Sequence, residues 1–88
     1  MTGLEAKLAE LSSRFADRLP EERAAIANAI EIGDRRALID RAHKLAGIAG
    51  MFGRPDIGAA ALELEQSAMA DADFSEEASQ LLDLLERS

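Results

Sequence analysis

The sequence predicts an all-α protein, an antiparallel up-down four-helix bundle with one additional N-terminal helix. Two observations lead to this prediction. The 88 residues are 48% hydrophobic but include only three aromatic side chains and two prolines, a composition typical of small helical domains. Apolar residues also recur at spacings of three and four along five segments that short links separate. We expect residues 1–88 to form a single domain with a modest core.

A proline is predicted to separate the first two helices. Proline removes an interior hydrogen bond but suits the first turn of a helix, so Pro20 should begin helix B, over about residues 20–32. Helix A, over about residues 4–17, is predicted from an apolar stripe with spacings of four, three and four: Leu4, Leu8, Leu11 and Phe15.

Three further helices complete the prediction, and turn and capping residues mark their ends. Gly33 is suited to end helix B and Asp34 to cap the next helix. Gly53 similarly suits the end of the third helix. Short links between helices favour antiparallel neighbours. The predicted helices are C over about 35–52, D over about 55–70 and E over about 76–86.

Charge and cysteine content exclude several classes of protein. The net charge of −7 argues against a general nucleic-acid binder or an anionic-membrane binder. The absence of cysteine excludes disulfides and thiolate metal sites. We find no signal-peptide pattern and no apolar run near the roughly 18 residues of a membrane span. A cytoplasmic monomer is therefore the default expectation.

The one histidine, His43, is predicted to face solvent. It lies roughly 140° around helix C from the centre of the apolar stripe. Gly47 and Gly50 follow it at i+4 and i+7, although each glycine inside a helix costs about 1 kcal/mol relative to alanine. These glycines lie off the stripe and favour an approach surface for a second protein. The stripe itself comprises Leu38, Ala42, Leu45, Ala49 and Phe52.

Glu65 is the predicted partner of this histidine. His43 is eleven residues before Arg54 and Glu65 is eleven after it, so an antiparallel hairpin places the two level. The carboxylate could then accept the Nδ1–H, which leaves the Nε2 lone pair free as an oriented nucleophile. A solvated acid, or one paired within its own helix, remains the alternative. Glu65 lies roughly 60° from the predicted core stripe of helix D, which comprises Ile57, Ala61, Leu64 and Ala68.

Small and apolar residues near the histidine are candidates for a transient docking surface, although the larger ones could equally be the edge of the core. The docking candidates are Ile39, Ala46, Gly50, Gly58 and Leu62.

Metal and ATP sites are not expected. Asp40 and His43 have the i, i+3 spacing of di-iron ligands, but such a site needs two inward pairs. No glycine-rich phosphate loop or Asp cluster is present in the sequence, so ATP binding is not expected.

The segment from His43 to Gly53, His-Lys-Leu-Ala-Gly-Ile-Ala-Gly-Met-Phe-Gly, together with Leu64-Glu65, resembles the histidine-containing phosphotransfer (HPt) domain of two-component phosphorelays. The resemblance covers about residues 20–88 and implies a phosphocarrier with no kinase activity of its own. It implies that His43 relays a phosphoryl group between aspartates of receiver domains, in response regulators or hybrid kinases. Gly47 and Gly53 match the glycines of the family, and Glu65 matches a position where the family has Gln or Glu.

One departure from the family pattern concerns the charge beside the phosphoryl group. Ala46 stands where many members have a lysine. Lys44 points about 100° away from the histidine, and Arg36 or Arg54 could supply charge only from two to three turns away. The receiver must then supply Mg²⁺ and most of the electrostatic stabilisation. A scaffold that binds a receiver or kinase without carrying phosphate is the alternative reading.

Overall fold

The computed structural model describes residues 2–87, which form four α-helices joined by short links. No strand occurs within this part of the chain. None of the helices it contains is long and apolar enough to cross a membrane. The helices are α1 (Gly3–Ile32), α2 (Arg35–Met51), α3 (Pro55–Met69) and α4 (Ser75–Arg87).

Helix α1 is continuous, so the prediction of separate helices A and B is wrong. Pro20 lies inside the helix, and its ring is exposed to solvent. The continuous helix keeps Phe15, Leu19 and Ile26 buried, at 7%, 1% and 0% exposure. The burial of these three side chains outweighs the roughly 3 kcal/mol that an interior proline costs. The additional N-terminal helix is therefore the first half of α1.

The four helices form a closed ring of contacts around one core. Each helix packs against the next in the sequence, and α4 packs against α1. The short links agree with the predicted antiparallel order, which remains a prediction. The predicted stripes of the third and fourth segments are buried, except for Phe52, which is half-buried at the end of α2. The core residues are Phe15, Leu19, Ile26, Ala29, Leu38, Ala42, Leu45, Ala49, Ile57, Ala60, Ala61, Leu64, Ala68, Ala78, Leu81 and Leu85.

Helices α2 and α3 approach each other closely because small residues line their contact. A Cβ added at Gly58 would lie 3.3 Å from the carbonyl oxygen of Ala46 and 3.5 Å from the backbone nitrogen of Gly50. Both neighbouring atoms belong to the backbone and cannot move aside independently. The close approach brings the carboxylate of Glu65 within reach of α2.

The turns that fix the ends of α2 were predicted from glycine and aspartate. Gly33 has φ 72° and Gly53 has φ 78°, the left-handed conformation that favours glycine. The Asp34 side chain accepts a hydrogen bond from the backbone N–H of Ala37 at 3.0 Å. Next to this cap, Arg35 donates to the carbonyl oxygen of Ala68 at 2.7 Å, which ties the start of α2 to the end of α3.

Candidate functional site

The side chain of His43 projects from the middle of α2 into solvent. It is 71% exposed, whereas Ala42 before it and Leu45 after it are buried. The helical rotation that buries the apolar stripe therefore turns the imidazole outward. An exposed ring on a rigid helix can enter the active site of another protein.

Glu65 on α3 holds the imidazole from one side. Its Oε2 lies 2.7 Å from Nδ1 of His43, and the Glu65 side chain is only 12% exposed. An ionised carboxylate can only accept this hydrogen bond, so in the neutral ring the proton is on Nδ1 and Nε2 has the free lone pair. The level placement expected for an antiparallel hairpin is present in the structure. This contact joins the largely buried carboxylate of Glu65 to one side of the exposed ring.

Two glycines leave the helix surface on the C-terminal side of His43 without side chains. Gly47 and Gly50 are exposed, and a Cβ added at either would meet no heavy atom within 4 Å. Packing within the protein therefore does not require glycine at these positions. The absence of side chains leaves open space on the C-terminal side of the imidazole.

The docking candidates differ in how accessible they are. Leu62 is 45% exposed, whereas Ile39 and Ala46 are half-buried against the core. Gly58 is buried beneath α2, so its inclusion among the docking residues is wrong. It is glycine because the backbone of α2 lies directly over it. Gly50 remains on the accessible surface.

The three cations considered as aids to a phosphoryl group lie in different places. Arg54 binds Asp56 through two hydrogen bonds, of 3.2 and 3.1 Å, in the turn before α3. It is eleven residues, or about 16 Å along a helix, from His43. Arg36 is exposed two turns before the histidine. Lys44 lies on the opposite flank of α2, toward α1. None of the three takes the place of the family lysine beside His43.

A groove between α1 and α2 was not found from the sequence. It has a volume of about 490 Å³, an apolar floor and a mostly basic rim. The sequence analysis missed this groove because it predicted a break at Pro20. Two separate helices would not form one continuous side of a groove. The signal that could have found it is the spacing of Arg14 and Arg18 beside the apolar stripe of helix A. The lining residues are Leu11, Arg14, Phe15, Arg18, Glu22, Arg41, Lys44, Leu45, Ile48 and Phe52.

Metal ligands are not clustered within the described part of the chain. Residues 2–87 contain no group of three or more His, Cys, Asp or Glu side chains that could hold a metal ion. Asp40, which was considered with His43 as a ligand pair, is exposed on α2.

An outward histidine oriented by a carboxylate on a small helical bundle defines a class of phosphotransfer modules. The family model described as Hpt domain matches residues 10–88. The chain therefore belongs to the Hpt domain family, and its role is related to phosphotransfer in two-component signalling. Comparison with curated proteins and with solved structures gave no match.

Proposed function

We propose that this chain is a histidine phosphotransfer protein that relays a phosphoryl group between receiver-domain aspartates through His43. The observation that supports this proposal best is the 71% exposed imidazole whose Nδ1 lies 2.7 Å from the Glu65 carboxylate. This contact presents Nε2 to solvent with its lone pair available. The open surface at Gly47 and Gly50 gives the receiver room to approach.

In the proposed step, Nε2 of His43 attacks the phosphorus of an aspartyl phosphate in line with the bond that breaks. The N–P bond forms as the acyl phosphate P–O bond breaks, and the receiver aspartate leaves as a carboxylate. Transfer to a second receiver is the reverse reaction, in which its aspartate oxygen attacks and the imidazole leaves.

Glu65 would stabilise the phosphorylated ring as well as orient the free one. A neutral imidazole that gains a phosphoryl group at Nε2 keeps its Nδ1 proton, so the ring becomes positively charged. The adjacent carboxylate balances that charge at hydrogen-bond distance. No proton needs to leave the ring, and the same contact serves both directions of transfer.

The partner supplies what this chain does not. We expect the receiver to bind the Mg²⁺ that neutralises the equatorial phosphoryl oxygens, because Ala46 puts no cation beside His43. The chain then acts as a carrier and not as a kinase with its own ATP. We expect docking through Ile39, Ala46, Gly50 and Leu62, and we expect the carrier to be a cytoplasmic monomer.

The test is transfer of labelled phosphate from receiver domains. Candidate receivers of the same organism, phosphorylated with labelled acetyl phosphate, are mixed with wild-type protein and with His43→Gln. We expect label to leave at least one receiver and appear on the wild type in an acid-labile form, with none on the variant. Label on neither protein, from any receiver, or equal label on both, would show the proposal to be wrong.

Ala46 favours a second candidate, a scaffold that binds a receiver or kinase without carrying phosphate. A lysine at this position could pair with phosphoryl oxygens, and alanine cannot. The same experiment separates the two functions. Stable binding to a receiver, unchanged in His43→Gln and without any transfer of label, would support the scaffold.

A further inference from the structure

The carboxylate that contacts His43 lies close to the end of its own helix. Glu65 is four residues before Met69, where α3 ends. The last four carbonyl groups of an α-helix have no partner within the helix, so a final turn opens easily unless other groups bind these carbonyls. The Glu65 side chain is only 12% exposed, and its contact with Nδ1 of His43 requires the last turn of α3 to stay in place against α2.

Arg35, the first residue of α2, binds the end of α3. Its Nη1 donates to the carbonyl oxygen of Ala68 at 2.7 Å, which is one of the four carbonyls without a partner in the helical pattern. Its Nη2 lies 3.5 Å from Oδ1 of Asp71, and its guanidinium carbon lies 5.2 Å from the centre of the Phe74 ring. One side chain of α2 therefore makes three contacts with the segment 68–74, which ends α3 and leads to α4.

The charge of Arg35 suits the end of α3 better than the start of its own helix. The helix dipole makes a cation unfavourable at a helix N-terminus and favourable at a C-terminus. Arg35 is the first residue of α2, and the last turn of α3 has no basic residue of its own. The contact between the two helices, and not the local preference of α2, therefore accounts for an arginine at this position.

The α2–α3 hairpin is held on both sides of the contact between His43 and Glu65. At the end near the connecting turn, Gly58 packs closely against the backbone of α2. At the opposite end, the side chain of Arg35 binds the carbonyl oxygen of Ala68. Glu65 is seven residues after Gly58 and only three before Ala68, so the Arg35 contact is the nearer of the two along α3.

We propose that Arg35 is a positioning residue, which keeps the Glu65 carboxylate at hydrogen-bond distance from Nδ1 of His43 by fastening the end of α3 to the start of α2. Arg35 is eight residues, or about 12 Å along α2, from His43, so it acts on the ring through Glu65. The consequence for phosphate transfer rests on the proposed function, whereas the effect on the ring does not.

The test is the tautomer of His43 in the free protein. Nitrogen chemical shifts of the ring, at about pH 9 where an imidazole is neutral, distinguish a proton on Nδ1 from one on Nε2. Arg35→Met keeps a long apolar side chain but removes the charge and the donors. We expect the proton on Nδ1 in the wild type and a mixture of tautomers in Arg35→Met. Unchanged ring shifts in the folded variant would overturn the proposal.

Arg36 provides a matched control, because it is adjacent and exposed, and its side chain makes no hydrogen bond or ion pair within residues 2–87. Arg36→Met makes the same change of charge and should leave the ring shifts as in the wild type. Equal mixtures of tautomers in the two variants would contradict the role of Arg35. Should Arg35→Met unfold, Arg35→Lys is compared with Arg36→Lys in the same way, since lysine keeps the charge but lacks the planar fork of donors.

Two measurements separate positioning through Glu65 from a general loss of stability. Adding Arg35→Met to Glu65→Ala should not change the ring shifts further, and a further change would mean that Arg35 acts by another route. Backbone hydrogen exchange in Arg35→Met should speed up in the last turn of α3 more than at Leu45, in the buried stripe of α2. A uniform increase along the chain would overturn the positioning role.

Phosphate transfer shows whether this positioning matters for the proposed reaction. Arg35→Met should slow transfer from a receiver, by less than the roughly tenfold loss expected for Glu65→Ala. A variant with mixed tautomers that transfers phosphate as fast as the wild type would overturn the role in transfer. If the wild type itself accepts no phosphate, the proposed function fails, and the ring shifts of the free protein still decide whether Arg35 positions Glu65.

Discussion

At the scale of single residues, the glycines of the α2–α3 hairpin have opposite surroundings. A Cβ at Gly47 or Gly50 would meet nothing within 4 Å, whereas one at Gly58 would lie 3.3 Å from a backbone oxygen. The first two affect what approaches from outside, and the third sets the distance between two helices. Substitution by alanine should therefore have different consequences at each place.

Gly47→Ala should stabilise the protein by about 0.5–1 kcal/mol, because alanine has the higher helix propensity and the site is open. We expect the same variant to accept phosphate more slowly from a receiver, since the methyl group occupies approach space beside His43. Urea denaturation and transfer kinetics measure the two effects. A variant that is more stable and equally fast would show that the receiver does not use this surface.

Gly58→Ala should instead destabilise the protein by about 1–2 kcal/mol, despite the gain in helix propensity. The added methyl group would press against the backbone of α2, which overpacks the contact. Urea denaturation gives the free energy of unfolding, with Ala59→Ser at the exposed neighbouring position as the control. An increase in stability would mean that α2 moves away at no cost.

The contact between Glu65 and His43 predicts how substitutions of the acid behave. Glu65→Gln keeps an acceptor for the Nδ1–H but loses the charge, and Glu65→Ala loses both. We expect phosphate transfer to fall in the order wild type, Gln, Ala, with a loss of about tenfold or more for Ala. Nitrogen chemical shifts of the ring should show the Nδ1–H tautomer in the wild type and a mixture in the Ala variant. An unchanged tautomer would contradict the positioning role.

At the scale of elements, the ends and interruptions of helices account for most of the local sequence signals. The start of α4 is an example, because the Asp73 side chain binds Ser75, the first residue of that helix. The Asp73 Oδ1 accepts hydrogen bonds from the hydroxyl of Ser75 at 2.6 Å and from its backbone N–H at 3.0 Å. These bonds favour the charged form and lower the pKa of Asp73 below its ordinary value of 3.8.

The lowered pKa makes the contribution of Asp73 depend on pH. The carboxylate stabilises the folded state above its unfolded pKa, and this stabilisation is lost as the pH falls through the folded pKa. Asp73→Asn should therefore lower the melting temperature at pH 7, and its difference from wild type should vanish well below pH 3.8. Thermal melting at both pH values measures this. A difference that does not change with pH would exclude the charge as its cause.

The position of Pro20 inside α1 leads to a second prediction at the scale of helices. It removes one backbone hydrogen bond from the middle of α1, and its ring faces solvent. Pro20→Ala should raise the free energy of unfolding by about 1–3 kcal/mol, measured by urea denaturation. Ala24→Ser, at an exposed site one turn later, serves as the control. A destabilised variant would indicate that the proline geometry helps α1 to curve over the core.

At the scale of the whole molecule, one apolar core holds all four helices together. The fully buried side chains include no polar or charged residue within residues 2–87. Truncating a central side chain should therefore destabilise the whole domain. Leu81→Ala should cost about 2–5 kcal/mol of unfolding free energy, a large share for a domain of this size. Leu62→Ala, at an exposed position, should cost much less, and a similar loss at both would contradict a single core.

The contact between His43 and Glu65 and the two ends of α2 could be predicted from the sequence because their signals are local. The spacing of His43 and Glu65 about Arg54, and the glycine at each end of α2, needed only helical geometry. The continuity of α1 could not be predicted, because burial of Phe15 and Leu19 by other helices decides it against the local preference of Pro20. Gly58 was wrongly predicted to be a docking residue for the same reason, since its burial depends on the distance between α2 and α3.

The orientation of the imidazole depends on two helices at once, and this limits how the protein can be re-engineered. Transplanting α2 alone into another bundle would carry His43 without the carboxylate that contacts its ring. The smallest portable unit is the segment 35–69, which brings the ring, its acceptor and the glycine that spaces them. Chimaeras with swapped specificity should therefore be joined outside this segment, in the turns at Gly33 and after Met69.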